Sequence, residues 1–333
     1  MTREELADVG RGIRLCFEQL GDRDGVPVVL IAGLGQQLVS WPVELCESLA
    51  APGMRVIRFD NRDAGRSTHS SARPPGLLAT VRGRVPSDGY HLGDLARDTV
   101  GLLDALGIER AHLVGASMGG MIAQVVASRW PHRVRSLTSV MSTTGAPGIG
   151  RPRATTWLKL ASRPPRTAED AVRSEIRIFR HIGSHGFAFD EQAVAEQARL
   201  AWERDPNGAA DGVARQLAAI FAAGDRTAEL AAVTAPTLVI HGDRDRMVAA
   251  TGGVATVRAI RNARLLVIPG MGHDYPRPAW PRLVEATLSH IRAVEAAAPA
   301  VPVTTDPVAA DGSTLSSTVA SKPTRRTREK SQA

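Results

Sequence analysis

Apolar residues in this chain gather in short runs that each end in a polar, glycine-bearing turn. Residues 26–32, 55–60, 111–114, 235–241 and 264–269 are rich in Val, Ile and Leu and have strand length. Residues 92–106 and 120–127 carry helical patterning instead. Strand and helix alternate over residues 12–144, and the alternation resumes over 235–294, which predicts an α/β fold with a mostly parallel central sheet flanked by helices. Residues 145–230 interrupt it without convincing strands. Helical stretches at 168–181 and 191–204 make this segment an expected helical cap inserted into a core formed by residues 1–144 and 231–294. From residue 295 to 333 the chain turns to Ala, Pro, Thr and Ser and ends in a basic run, the composition of a disordered tail.

The most informative junction is Gly115-Ala116-Ser117-Met118-Gly119, which follows one strand-like run and leads straight into a helix. A serine on so tight a strand-to-helix turn takes strained dihedrals and crowds its neighbours, so small residues are needed two positions to either side. Gly115 and Gly119 provide that clearance. The turn lifts the hydroxyl above the sheet edge and aims the first N–H groups of the next helix at the same point. Ser117 is therefore the candidate nucleophile.

An acid and a base follow in the order that such a nucleophile requires. The run 235–241 ends in Gly242-Asp243-Arg244-Asp245-Arg246, which places two carboxylates at the carboxyl end of a buried strand, where open parallel sheets build their sites. Local chemistry does not separate Asp243 from Asp245, because either one can cap the next helix or tie down the turn. The run 264–269 delivers Gly270-Met271-Gly272-His273, a glycine-flanked loop able to bring an imidazole between a serine and a carboxylate. His273 is the candidate base. His112 and His241 lie within strands and are expected to pack or to support other residues.

The run 26–32 ends in Gly33-Leu34-Gly35, a turn that can present a backbone N–H toward the serine. The N–H groups of Leu34 and Met118 together would form a two-donor oxyanion hole. The charged segment Asp60-Asn61-Arg62-Asp63-Ala64-Gly65-Arg66-Ser67 is expected to be structural, a set of side-chain to backbone bonds fixing the loop beneath the site.

With these pieces in order, residues 11–294 resemble the α/β-hydrolase superfamily. Residues 56–68, reading Val-Ile-Arg-Phe-Asp-Asn-Arg-Asp-Ala-Gly-Arg-Ser-Thr, and Pro269-Gly270-Met271-Gly272-His273 are most similar to the aclacinomycin methylesterase type. The resemblance implies that the acid is Asp245, three residues after Gly242, and it favours Leu34 and Met118 as the oxyanion donors. Ala32-Gly33 departs from the common His-Gly motif before the oxyanion turn. Serine at the elbow sets the chain apart from the dehalogenases and epoxide hydrolases of this fold, which carry aspartate there. The implied activity is hydrolysis of a small apolar carboxylic ester. Thioesterase, enol-lactone hydrolase, carbon–carbon bond hydrolase and perhydrolase remain alternatives on the same scaffold, and a non-catalytic ligand-binding protein is the alternative from another class.

Composition adds limits. The chain has 333 residues, 43% hydrophobic and 23% charged, with a net charge of +7. That charge and the basic terminal run are expected to be solvated, since no nucleic-acid motif accompanies them. No apolar run reaches membrane-spanning length, and a cytoplasmic location is expected. With two cysteines, Cys16 and Cys46, no disulfide framework is expected, and no metal or other cofactor is expected from the spacing of ligand-type residues. The sequence leaves the oligomeric state open. Trp157, Phe179, Phe187, Phe189, Trp202 and Phe221 all fall in the insertion, where some are expected to wall an apolar pocket and others to staple the cap to the core.

Overall fold

The structure is a computed structural model that describes residues 3–50, 53–156, 165–206 and 209–297. Trp157 and residues 298–333 of the expected tail lie outside the described residues. The strands are β1 (Glu5–Asp8), β2 (Arg14–Gly21), β3 (Val26–Ile31), β4 (Met54–Phe59), β5 (Ala111–Ala116), β6 (Val134–Val140), β7 (Thr237–Gly242) and β8 (Ala263–Ile268). They form one sheet in the order β1-β2-β4-β3-β5-β6-β7-β8. The pairs β1–β2 and β2–β4 are antiparallel and every later pair is parallel, so the mostly parallel sheet has an antiparallel edge.

Helices fill the crossovers. In chain order they are α1 (Val43–Ala50), α2 (Leu77–Val81), α3 (Leu92–Ala105), α4 (Met118–Arg129), α5 (Ala168–Ile182), α6 (Glu191–Arg204), α7 (Ala209–Ala223), α8 (Thr227–Leu230), α9 (Thr251–Ala259) and α10 (Trp280–Ala297). Strand β3 explains the layering. Its side chains alternate, so Val29 and Ile31 join Leu95, Leu102, Ile122 and Val126 of α3 and α4, while Val28 and Leu30 join Leu45, Leu49, Leu283 and Ile291 of α1 and α10. Both faces of the sheet are thus covered, which is why β3 reads as an unbroken apolar run.

Helices α5 to α8 lie between β6 and β7 in the chain. The first two start where side-chain caps dictate. The Asp170 N–H donates to Thr167 Oγ1 at 3.1 Å, and the Ala193 N–H to Asp190 Oδ1 at 3.0 Å. Acidic Glu169 and Asp170 in the first turn of α5, with Arg180 and His181 in its last, suit the helix dipole. Among the described residues, no helix is long and apolar enough to cross a membrane.

Candidate active site

Ser117 sits between β5 and α4 at φ 54°, ψ −119°, a left-handed backbone that side chains normally avoid. Its N–H donates to Val140 O at 2.9 Å, and its carbonyl accepts from Ser142 Oγ at 2.8 Å, so the end of β6 fixes the peptide on both sides. The flanking glycines are sterically required. A Cβ on Gly115 would lie 2.2 Å from Gly119 O, and one on Gly119 would lie 2.0 Å from Ile31 O. Gly33 also approaches the serine: a Cβ there would stand 3.3 Å from Ser117 Cβ. The turn after β3 and the elbow after β5 therefore meet at Ser117.

The structure separates the two candidate acids. Asp245 is buried, and its Oδ2 lies 2.8 Å from His273 Nδ1. Its Oδ1 accepts the N–H groups of Met247 and Val248, each at 2.8 Å. Burial pushes its carboxyl up, but the charge of His273 and the bonds to His241 and His273 outweigh that and hold it at about 2, from an ordinary 3.8. Asp245 is thus an ionised acceptor in a dry place. Asp243 turns away. Its Oδ1 accepts the Gly270 N–H at 2.6 Å, tying the end of β7 to the loop after β8. His241 packs beneath the acid, with Nε2 2.8 Å from Val248 O and 3.5 Å from Asp245 Oδ2.

The imidazole loop is gripped by the insertion. The His273 N–H donates to Ile182 O, the last residue of α5, at 2.9 Å. The Gly272 N–H donates to Ser184 Oγ at 2.8 Å, and that hydroxyl donates in turn to Asp274 Oδ1. His273 is brought to Asp245, whereas Ser117 and His273 share no hydrogen bond in this structure.

The turn after β3 is held from two sides. From below, the Leu38 N–H donates to Asp60 Oδ1 at 2.6 Å and Asn61 Nδ2 donates to Ala32 O at 3.1 Å. From the insertion, Gln216 of α7 accepts the Gly35 N–H at 2.8 Å. Among the described residues, neither the Leu34 nor the Met118 N–H is committed to an acceptor. Met118 opens α4, where the first N–H groups have no partner within the helix.

The charged segment after β4 does more than the expected side-chain to backbone bonding. Asp60 also pairs with Arg204 at the end of α6 (2.8 Å), and Asp63 with Arg215 of α7 (2.8 Å), with all four side chains buried. These two ion pairs fasten α6 and α7 to the segment after β4. Arg204, Arg215, Gln216, Ser142 and Ser184 escaped the sequence reading, because no local pattern announces a partner more than 140 residues away or a hydroxyl facing another loop.

A sequence model described as the alpha/beta hydrolase fold matches residues 26–275. The chain is 30% identical over 302 residues to the rhodomycin D methylesterase of Streptomyces sp. (strain C5), covering 84% of this chain and 96% of that one. It is 32% identical over 255 residues to a 2-hydroxy-6-oxononadienedioate/2-hydroxy-6-oxononatrienedioate hydrolase of Paraburkholderia xenovorans (strain LB400), covering 74% of this chain and 80% of that one. Among solved structures, the enol-lactonase from Burkholderia xenovorans LB400 superposes with a TM-score of 0.67 at 21% identity, over 86% of this chain and 99% of that one, which speaks to fold alone. The eight-stranded sheet, the serine elbow after its fifth strand and these likenesses agree, and the chain belongs to the α/β-hydrolase fold family.

Proposed function

We propose that this protein is a serine hydrolase of small or medium apolar carboxylic esters, with Ser117 as nucleophile, His273 as general base and acid, and Asp245 as the group that orients the imidazole. The observation that carries the reading is the 2.8 Å contact of His273 Nδ1 with the buried, ionised Asp245, on a loop that follows a strained serine elbow. With Nδ1–H on the carboxylate, Nε2 is left as the basic nitrogen. Ser117 Oγ attacks the ester carbonyl as its proton passes to His273 Nε2. The N–H groups of Leu34 and Met118 stabilise the oxyanion that develops. Collapse expels the alcohol, which takes the proton from His273, and leaves an acyl group on Ser117. Water then attacks the acyl carbonyl, gives its proton to His273, and the acid departs as Ser117 recovers its proton. Helices α5 to α8 act as a cap over the crevice.

The similarity to rhodomycin D methylesterase supports a methyl or other small alcohol as leaving group. A second reading, carbon–carbon bond hydrolysis, draws on the 32% identity with the dienedioate hydrolase. A panel of methyl esters, acyl thioesters, lactones and dienones distinguishes them, and turnover confined to lactones or dienones overturns the ester reading. Ser117→Ala is expected to fold and to cut turnover of a short p-nitrophenyl ester by several orders of magnitude. Survival of wild-type turnover in that variant excludes Ser117. We assign the enzyme to the cytoplasm, where free thiols such as the buried Cys16 and Cys46 stay reduced, an assignment that cell fractionation tests.

A further inference from the structure

The face of α5 that carries Ile182 also carries Phe179 and Glu175, at spacings of three and seven residues. Ile182 marks one end of the crevice, since its carbonyl holds the His273 N–H. Two turns back along the helix, about 10 Å away, Glu175 reaches the other end, where its Oε1 lies 3.5 Å from Gln36 Nε2. Gln36 belongs to the turn after β3, and its Cγ is 3.8 Å from the position of a Cβ on Gly33, the glycine that abuts Ser117. A carboxyl group thus stands beside the turn that abuts the serine.

Nothing among the described residues neutralises that carboxyl. The neighbouring arginines of α5 are engaged elsewhere: Arg173 with Asp170, Arg177 with Ser174 and Arg180 with Glu191. Gln36 provides one long contact, beyond the ordinary range of an N–H to oxygen bond. The Gln36 carbonyl oxygen is already held by Ser40 Oγ at 2.5 Å, which fixes the amide with its NH2 toward Glu175. Burial pushes the Glu175 carboxyl above the ordinary glutamate range, yet part of the side chain stays accessible. A half-buried acid with unused acceptor capacity beside the serine's turn is an incomplete pair, and a cation is the partner that completes it.

We infer that Glu175 is a specificity-determining residue that receives a protonated amine on the substrate. The inference rests on the hydrolase reading above and narrows its substrates to esters bearing an ammonium group.

Two fluorophosphonate probes test it, one with a 6-ammoniohexyl chain and one with a heptyl chain of matched length. Both form a covalent bond to an activated serine and differ only at the tip. The wild-type protein is expected to react with the ammonium probe about tenfold faster or more, and Glu175→Gln to bring the ratio of the two rates close to one. A wild-type ratio near one overturns the inference without recourse to any variant. So does a preference that survives in Glu175→Gln, or a loss of both rates in equal proportion, which would make Glu175 a support for Gln36. Failure of both probes to label the wild-type protein sinks the hydrolase reading itself and this inference with it, whereas equal labelling by both sinks the inference alone.

Discussion

Ser117→Gly is expected to stabilise the protein while abolishing its activity, and the comparison with Ser117→Ala isolates the reason. Both variants lose the hydroxyl. Alanine keeps a Cβ at φ 54°, ψ −119°, so it inherits the backbone strain of the serine. Glycine does not, and relief of a strained position of this kind contributes about 1–3 kcal/mol. Against this stands the greater freedom of glycine in the unfolded chain, which costs about 0.5–1 kcal/mol. The elbow is held by Val140 O and Ser142 Oγ through the backbone of Ser117, so neither substitution removes those bonds. The net advantage of glycine over alanine spans about 0–2.5 kcal/mol with a midpoint near 1, which for a domain of this size raises the melting temperature by a few degrees. Urea titration at pH 7 alongside thermal melts of the two variants measures it. Equal stabilities, or a less stable glycine variant, would refute the claim that the elbow stores strain, whatever the esterase assay shows.

Three further outcomes follow from the site. Asp245→Asn is expected to lower kcat for a p-nitrophenyl ester by about three to four orders of magnitude, because an amide in its place favours the wrong imidazole tautomer. Asp243→Asn weakens only the turn bond to Gly270, about 1 kcal/mol of stability, and the reverse ranking of the two variants in the same assay would reassign the acid. The pH dependence has a definite sign. The folded carboxyl of Asp245 is depressed to about 2 from 3.8, so its contribution is fully present above pH 4 and is lost as pH falls through 2. The stability gap between the wild-type protein and Asp245→Asn should shrink by about 2 kcal/mol across that window, and a gap that does not change with pH contradicts the assignment of a depressed carboxyl. Arg204→Met strands the buried Asp60 carboxylate and is expected to cost about 3–5 kcal/mol in urea titrations, with a loss below 1 kcal/mol showing that the pair is dispensable.

The parts of this fold that could be read from the chain are those whose cause is local. The run that became β3 is apolar on both faces because both are covered, and the clearance around Ser117 appears as two glycines at fixed offsets. The caps at Thr167 and Asp190 account for the legible starts of α5 and α6. Strand β1 is not legible, since a four-residue edge strand in which Ala7 is the buried residue carries little hydrophobic pattern. The choice between Asp243 and Asp245 had no local answer either. Both follow the same strand on the same polar turn, and the partner that separates them, His273, arrives 28 residues after Asp245. The arginines that meet Asp60 and Asp63 are still less legible, because a surface-type residue on a helical segment gives no sign that it will be buried against a carboxylate from the other half of the core.

The bonds from the insertion to both loops around Ser117 bear on how such an enzyme can change its diet. Gln216 steadies the turn carrying Leu34, and Ile182 with Ser184 steadies the loop carrying His273. The segment therefore does not behave as an interchangeable cassette. Grafting the corresponding helices of a relative onto this core would remove the contacts that aim the Leu34 and His273 loops, unless the graft also restored an amide at position 216 and a hydroxyl at 184. New specificities on this scaffold are more accessible by replacing single residues on the inner face of α5, where a side chain can change without disturbing the bonds made by its neighbours.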